Sequence, residues 1–290
     1  DDSTWLGRNG QYQKLPPYPG DRFSAVDVNS SGTVLGYLPA HIPLFRTILH
    51  KDGAYFEVVP GSAGFTPAGI DGTDRIPGTI FGDQIRAAVW NGEQLIDLPT
   101  TIVSRAYAVN ENGAVVGFDN QRPTIWHAGS YEREVVPMDS GVAWGISPRG
   151  TVTGYGRELS DSPDLGYFVR VNGSVRWYDR RDHVNPTLMK VNDRGDSIVR
   201  APTYDNRFVH RLLLMDGQTW LQDELELDSS EWMLENLDGF APDGTLLATV
   251  FSTTTGQSDI ALLRPVPEPA TLAVLVTGLA ALVRRRRKMG

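Results

Sequence analysis

One pattern recurs six times along this 290-residue chain: an apolar residue, Asn or a substitute, two further residues, Gly, then a short β-rich run. The copies open at Val28-Asn29, Ile70-Asp71, Val109-Asn110, Ile146-Ser147, Val191-Asn192 and Phe240-Ala241. Their turn positions are Gly32, Asp74, Gly113, Gly150, Gly195 and Gly244, spaced 37 to 49 residues apart. A four-stranded propeller blade takes roughly 40–50 residues, so the period fits one blade per copy. Asn or Asp opening a turn and Gly supplying positive φ is hairpin chemistry. The five glycines are therefore expected to be structural. The second copy, with Asp74 in the glycine place, is expected to tolerate substitution better.

A second signal follows in most copies: an apolar strand, a polar-Gly turn and another strand. It is clearest around Asn91-Gly92, Asn172-Gly173 and Asp216-Gly217. Two hairpins per repeat make four strands. The expected fold is all-β: a β-propeller of six four-stranded blades over residues 23–265, followed by a short C-terminal hydrophobic helix. Five or seven blades, or a β-sandwich, are the alternatives. Residues 221–237 are the best helix candidate within the repeats, and a weak one. The sixth copy stops at Pro265 without its last strand, while residues 10–17 resemble residues 92–99. A ring leaves an unpaired edge unless its ends interlock, so residues 1–22 are expected to supply the closing strand of the last blade. The repeats resemble the HAF family of bacterial extracellular repeats, most closely at Val109-Asn110-Glu111-Asn112-Gly113-Ala114-Val115-Val116-Gly117. That resemblance implies an exported repeat protein and brings no catalytic residues with it.

The last 25 residues follow a different logic. Pro267-Glu268-Pro269 precedes residues 270–283, which are almost without polarity, and then the cluster Arg284-Arg285-Arg286-Arg287-Lys288. As a helix the apolar segment would reach about 21 Å, against the roughly 30 Å of a bilayer core. It is marginal as a permanent anchor, and a plain single-pass anchor is the alternative. The basic cluster would stop translocation and stay cytoplasmic. Motif, apolar stretch and basic end over 266–290 together resemble the PEP-CTERM sorting signal, read by exosortase-type transpeptidases in Gram-negative envelopes. The resemblance implies a transient exosortase partner and a membrane contact through residues 270–283 before processing. It also implies export through the inner membrane to the cell surface or extracellular matrix. The start at Asp1-Asp2-Ser3-Thr4, without Met, fits a chain numbered after removal of an export signal peptide.

Charge and residue types narrow the chemistry. Five of the 27 basic residues and one of the 35 acidic residues lie in 266–290, leaving 22 and 34, or net −12. Such a surface disfavours nucleic acid and anionic membranes, and tolerates cations or neutral glycans. With no Cys there is no disulfide, thiolate metal site or Cys nucleophile. His41, His50, His127, His183 and His210 show no metal spacing. No serine-nucleophile signature occurs. The oxygen-rich turns at Asp71–Asp74 and Asn192–Asp196 lack the long loop and closing Glu of a calcium hand. No catalytic residue, metal or cofactor is therefore assigned. Trp90, Trp126, Trp177 and Trp220 recur at fixed repeat positions, as packing between blades requires. The resulting expectation is a structural or adhesive envelope protein, associated with extracellular polysaccharide. A polysaccharide hydrolase or lyase, and a glycan- or calcium-binding lectin, are the alternatives.

Overall fold

The computed structural model describes residues 5–8, 11–18, 23–38, 46–58, 64–157, 165–179, 188–191, 197–202, 208–214, 217–220, 231–240 and 245–263. It divides into two compact units, Asp1–Glu226 and Leu227–Gly290. The sorting tail, Gly195 and Gly244 lie outside the described residues, as does the expected C-terminal helix.

The first unit opens with a hairpin, β1 (Trp5–Arg8) and β2 (Gln11–Lys14). Five antiparallel four-stranded sheets follow in chain order. The first holds β3 (Ser24–Val28), β4 (Val34–Leu38), β5 (Arg46–Lys51) and β6 (Ala54–Glu57). The second holds β7 (Phe65–Pro67), β8 (Ile76–Ile80), β9 (Arg86–Trp90) and β10 (Leu95–Asp97). The third holds β11 (Ser104–Val109), β12 (Val115–Asp119), β13 (Arg122–Trp126) and β14 (Arg133–Val135). The fourth holds β15 (Ser140–Ile146), β16 (Val152–Arg157), β17 (Leu165–Val171) and β18 (Ser174–Asp179). The fifth holds β19 (Leu188–Val191), β20 (Ser197–Pro202), β21 (Phe208–Leu214) and β22 (Gly217–Trp220). The second unit is a three-stranded sheet of β23 (Trp232–Phe240), β24 (Leu246–Ser252) and β25 (Ser258–Leu263). Five sequential four-stranded meanders make this an all-β, propeller-like fold. No helix among the described residues is long and apolar enough to cross a membrane.

The first four sheets pack face to face in chain order, and this explains their composition. A sheet covered on both faces reads as a continuous apolar run rather than an alternating one. Ala87, Ala88 and Val89 of β9 are all buried, as are Val115 and Val116 of β12. One core joins Leu35, Leu49 and Val58 of the first sheet region to Phe65, Ile76 and Ala88 of the second. Another joins Val89 and Leu98 to Ala106, Val115 and Trp126. A third joins Val116, Val136 and Met138 to Ala143, Val152 and Phe168. Val58, Leu98 and Val136 play one role: each extends the outermost strand of its sheet, donating its N–H to Thr47, Ala87 and Pro123, and fills the space before the next sheet. Leu15, just after β2, fills the corresponding space before the first sheet, against Phe23, Val34, Leu38 and Ile48.

The N-terminal segment carries two strands, β1 and β2, paired with each other. One expectation changes. Within the helix candidate at 221–237, the described part belongs to β23 and is strand. The reason is visible in its ladder: register shifts fall between Leu234 and Asn236, and between Leu237 and Gly239. Each bulge inserts a residue and breaks the two-residue alternation, so the apolar spacing imitates a weak helix while pairing to β24 dictates a strand.

Candidate functional site

The sequence singles out the repeat turns. Asn29, Asp71, Asn110 and Ser147 open four superposable turns. In each, the opening carbonyl accepts from the N–H three residues on, and the opening N–H donates to the carbonyl four residues on. Gly32, Gly113 and Gly150 sit at φ of 86°, 90° and 85°, where a Cβ is unfavourable. Asp74 holds the same place at φ 65°. It is not an idle variant: Lys51 Nζ lies 2.6 Å from its carboxylate and Asn29 Nδ2 donates to it at 2.7 Å. Sequence reasoning therefore undervalues Asp74, because both partners lie more than 20 residues away.

The opening side chain does two jobs. Its oxygen serves its own turn: Asn29 Oδ1 accepts from Thr33 N–H and Asn110 Oδ1 from Ala114 N–H, both at 2.9 Å. Its amide serves the next repeat: Asn29 Nδ2 donates to the Asp71 carbonyl at 2.9 Å, and Asn110 Nδ2 to the Ser147 carbonyl at 3.1 Å. Asp71 has no amide to give. Arg75, fixed on the Asp71 carboxylate at 2.6 Å, donates to the Glu111 carbonyl instead. Each such bond contributes on the order of 1 kcal/mol net. These carboxylates are thus committed to cations and turn amides, and among the described residues no His, Cys, Asp and Glu group could hold a metal.

Two groups, half-buried Asp74 and buried His50, give stability a pH dependence. Burial is the largest single influence on Asp74 and raises its carboxyl, but hydrogen bonds from Lys51, Thr33 and Asn29 outweigh it, and the net shift is downward. Its contribution is complete above the unfolded value near 4 and disappears as pH falls through the lower folded value. Burial alone pushes His50 down. Its ring is tucked against Tyr55, with Nε2 buried and unpartnered. The unfolded chain takes up that proton near pH 6.5 while the folded chain resists it, so stability falls as pH drops below that point. Thermal melts should show a falling Tm from about pH 7 to about pH 5 in the parent, flattened in His50→Gln. The steeper loss below about pH 4 should be reduced in Asp74→Asn. Equal slopes in parent and variants would refute these assignments.

A different cluster sits on the third and fourth sheets. Counting three residues back from each turn opener gives Val26, Ala68, Tyr107 and Trp144. In the first, third and fourth sheets this residue is the extra one of a β-bulge, a device that re-aims a side chain. The Tyr107 and Trp144 rings stack at 4.1 Å, 29° apart. Phe118, on the neighbouring strand, lies 6.2 Å from Tyr107. Arg105 places its guanidinium 5.5 Å from the centre of the exposed Phe81 ring. Burial raises the Tyr107 phenol, and Arg105 offsets part of that rise. Arg105 Nε and Trp144 Nε1 are buried donors without an acceptor. Sequence reasoning missed this cluster, since it weighed the tryptophans by hairpin position. Aligning the copies on their turn openers would have revealed it.

The other described sequence candidates make structural contacts. Trp126 is fully buried and donates to the Pro99 carbonyl at 2.8 Å. Trp90 and Trp177 pack on inter-sheet cores. His127 meets Glu134 at 2.9 Å on the surface. His41 and His183, and the side chains of His210 and Trp220, lie outside the described residues.

Solved structures share the fold. The Pyrococcus horikoshii acylaminoacyl peptidase matches with a TM-score of 0.57 at 11% identity, over 88% of this chain and 45% of that one. A puromycin-hydrolyzing peptidase of Mycobacterium tuberculosis matches at 0.52 and 14% identity, over 83% of this chain and 44% of that one. TolB from Acinetobacter baumannii matches at 0.46 and 10%, over 72% and 59% respectively. The chain thus spans about half the length of these proteins, and the likeness to the two peptidases is one of fold alone. No curated protein matches it. A family model described as the PEP-CTERM protein-sorting motif matches residues 265–288, which marks the chain as an exported, envelope-associated substrate of exosortase sorting.

Proposed function

We propose that this chain is a structural or adhesive protein of an exopolysaccharide-rich surface layer, delivered there by exosortase processing of its tail. The observation that carries the reading is the sorting motif at 265–288. It follows a scaffold of repeated sheets in which the turn carboxylates Asp71 and Asp74 serve turn amides and ion pairs. The HAF resemblance of the repeats supports the same reading. In the proposed route the chain passes the inner membrane and pauses there on residues 270–283. Pro267 and Pro269 disfavour helix around Glu268, keeping the site extended for the transpeptidase. Arg284, Arg285, Arg286, Arg287 and Lys288 hold the end on the cytoplasmic side.

We further propose a closed ring of six blades, with residues 1–22 contributing the fourth strand of the last. Two observations support it: among the described residues the second unit has three strands where five preceding sheets have four, and Leu15 follows β2 as Leu98 follows β10.

C-terminal mass spectrometry of protein from the native host tests the sorting route. Mature material should lack the basic tail. Replacing Pro267, Glu268 and Pro269 by Ala should leave an uncleaved, membrane-retained chain. Parent protein still ending at Gly290 would refute processing.

A further inference from the structure

We infer that the face formed by Arg105, Tyr107, Phe118, Trp144 and Tyr155, rimmed by Phe81, binds a neutral oligosaccharide. The inference rests on the surface-layer reading above and names the ligand class for it.

The repeats supply their own control. The positions of Arg105, Tyr107 and Phe118 are Ser24, Val26 and Tyr37 in the first sheet, and Thr66, Ala68 and Thr79 in the second. The first two sheets therefore form without a large residue at the Arg105 and Tyr107 positions, so packing alone does not require those two, whereas an aromatic at the Phe118 position is shared with the first sheet. In the fourth sheet the bulge residue is again aromatic, Trp144, with Tyr155 on the adjoining strand. Large aromatics at the bulge are thus confined to two adjacent sheets, where the rings of Tyr107 and Trp144 meet. All five side chains forming the face are partly exposed, and Phe81 at the rim is 41% exposed.

The chemistry of the face is amphipathic in a specific way. A pyranose ring offers an apolar C–H face and an equatorial rim of oxygen acceptors. Tyr and Trp offer flat apolar area with a polar tip. Arg105 Nε and Trp144 Nε1 are buried donors without acceptors, and a small rotation of either side chain toward the face would let hydroxyl or ring oxygens satisfy it. An unpaired buried donor is costly, so a ligand that completes it gains affinity. Net charge selects between glycan classes. Outside the tail the chain is −12, which repels a polyanion at long range. The Arg105 charge already faces the Phe81 ring. A neutral sugar meets no such repulsion.

The test is calorimetric titration of the purified chain with neutral linear tetrasaccharides of glucose, galactose and mannose, with tetragalacturonate as the charged comparison. At least one neutral tetrasaccharide should bind, and more tightly than tetragalacturonate. Arg105→Gln and Trp144→Phe should each weaken it roughly tenfold, the effect of losing one hydrogen bond. Phe56→Ser, at an exposed site on β6, should leave it unchanged. Melting curves establish that each variant is folded. Absence of neutral-sugar binding, a preference for tetragalacturonate, or binding indifferent to both variants would overturn the assignment. Fractionation of host cells separates this from the broader reading. Arg105→Gln should still be exported and processed, so a surface-layer protein whose matrix retention ignores both variants would lose this site and keep its route.

Discussion

Gly117→Ala is expected to cost about 3 kcal/mol or more, the upper range for forcing atoms into a packed site. Gly117 lies on β12 opposite the bulge of β11. A Cβ there would sit closer than 3.0 Å to the carbonyl oxygen and carbon of Arg105, and would press on the Ala106 Cα. These are backbone atoms, so a strand must move rather than a side chain. The same crowding recurs at Gly36, Gly78 and Gly154, against Ser24, Thr66 and Val142. Gly150 is the control: it needs positive φ, but a Cβ would meet open space. Gly150→Ala should therefore cost only about 1–2 kcal/mol. Denaturant midpoints of the two variants measure the difference. Equal losses would refute close backbone approach as the reason for Gly117.

Removing residues 1–17 should destabilise the chain by several kcal/mol, roughly 2–5 for the loss of a buried Leu alone, and should cause aggregation. Leu15 is 4% exposed within the first core, and the Pro16 carbonyl accepts from Tyr55 Oη at 2.5 Å. Both losses are local to the first sheet. The proposed closing strand adds a separate one: without it the last blade keeps an exposed edge. Leu15→Ala separates the two, since it empties the core and leaves the strand. That variant should melt early yet remain monomeric, while the truncation should associate. A truncated chain that stays monomeric, with the melting point of Leu15→Ala, would defeat the closing-strand proposal.

What was legible in the sequence was local. Asn29 and Gly32 form a turn through bonds spanning at most four residues, so their spacing reports it directly. The hairpin at Asn172-Gly173 is legible for the same reason, with φ of 49° and 82°. What escaped was set at a distance. The amide of Asn110 is satisfied 37 residues away, and Asp74 draws its value from Lys51 and Asn29. The aromatic face stayed hidden because bulges at Tyr107 and Trp144 shift the alternation that sequence patterns depend on. The strand at Trp232–Phe240 was obscured in the same way.

The link common to neighbouring turns ends on a main-chain carbonyl, with the Asn29 contact to the Asp74 carboxylate added in one copy only. Asp71, Ser147 and Glu111 accept equally well although their side chains differ. Every amino acid carries that acceptor. A duplicated repeat can therefore dock on whichever copy it lands beside, with no matching substitution in its neighbour. Where the donor mutates, as at Asp71, one change within the same copy restores the bond through Arg75. Copies linked this way are free to diverge individually. Two of them could acquire a large aromatic residue while the others kept Val26 or Ala68, and gene duplication could alter the number of copies without first solving a new interface.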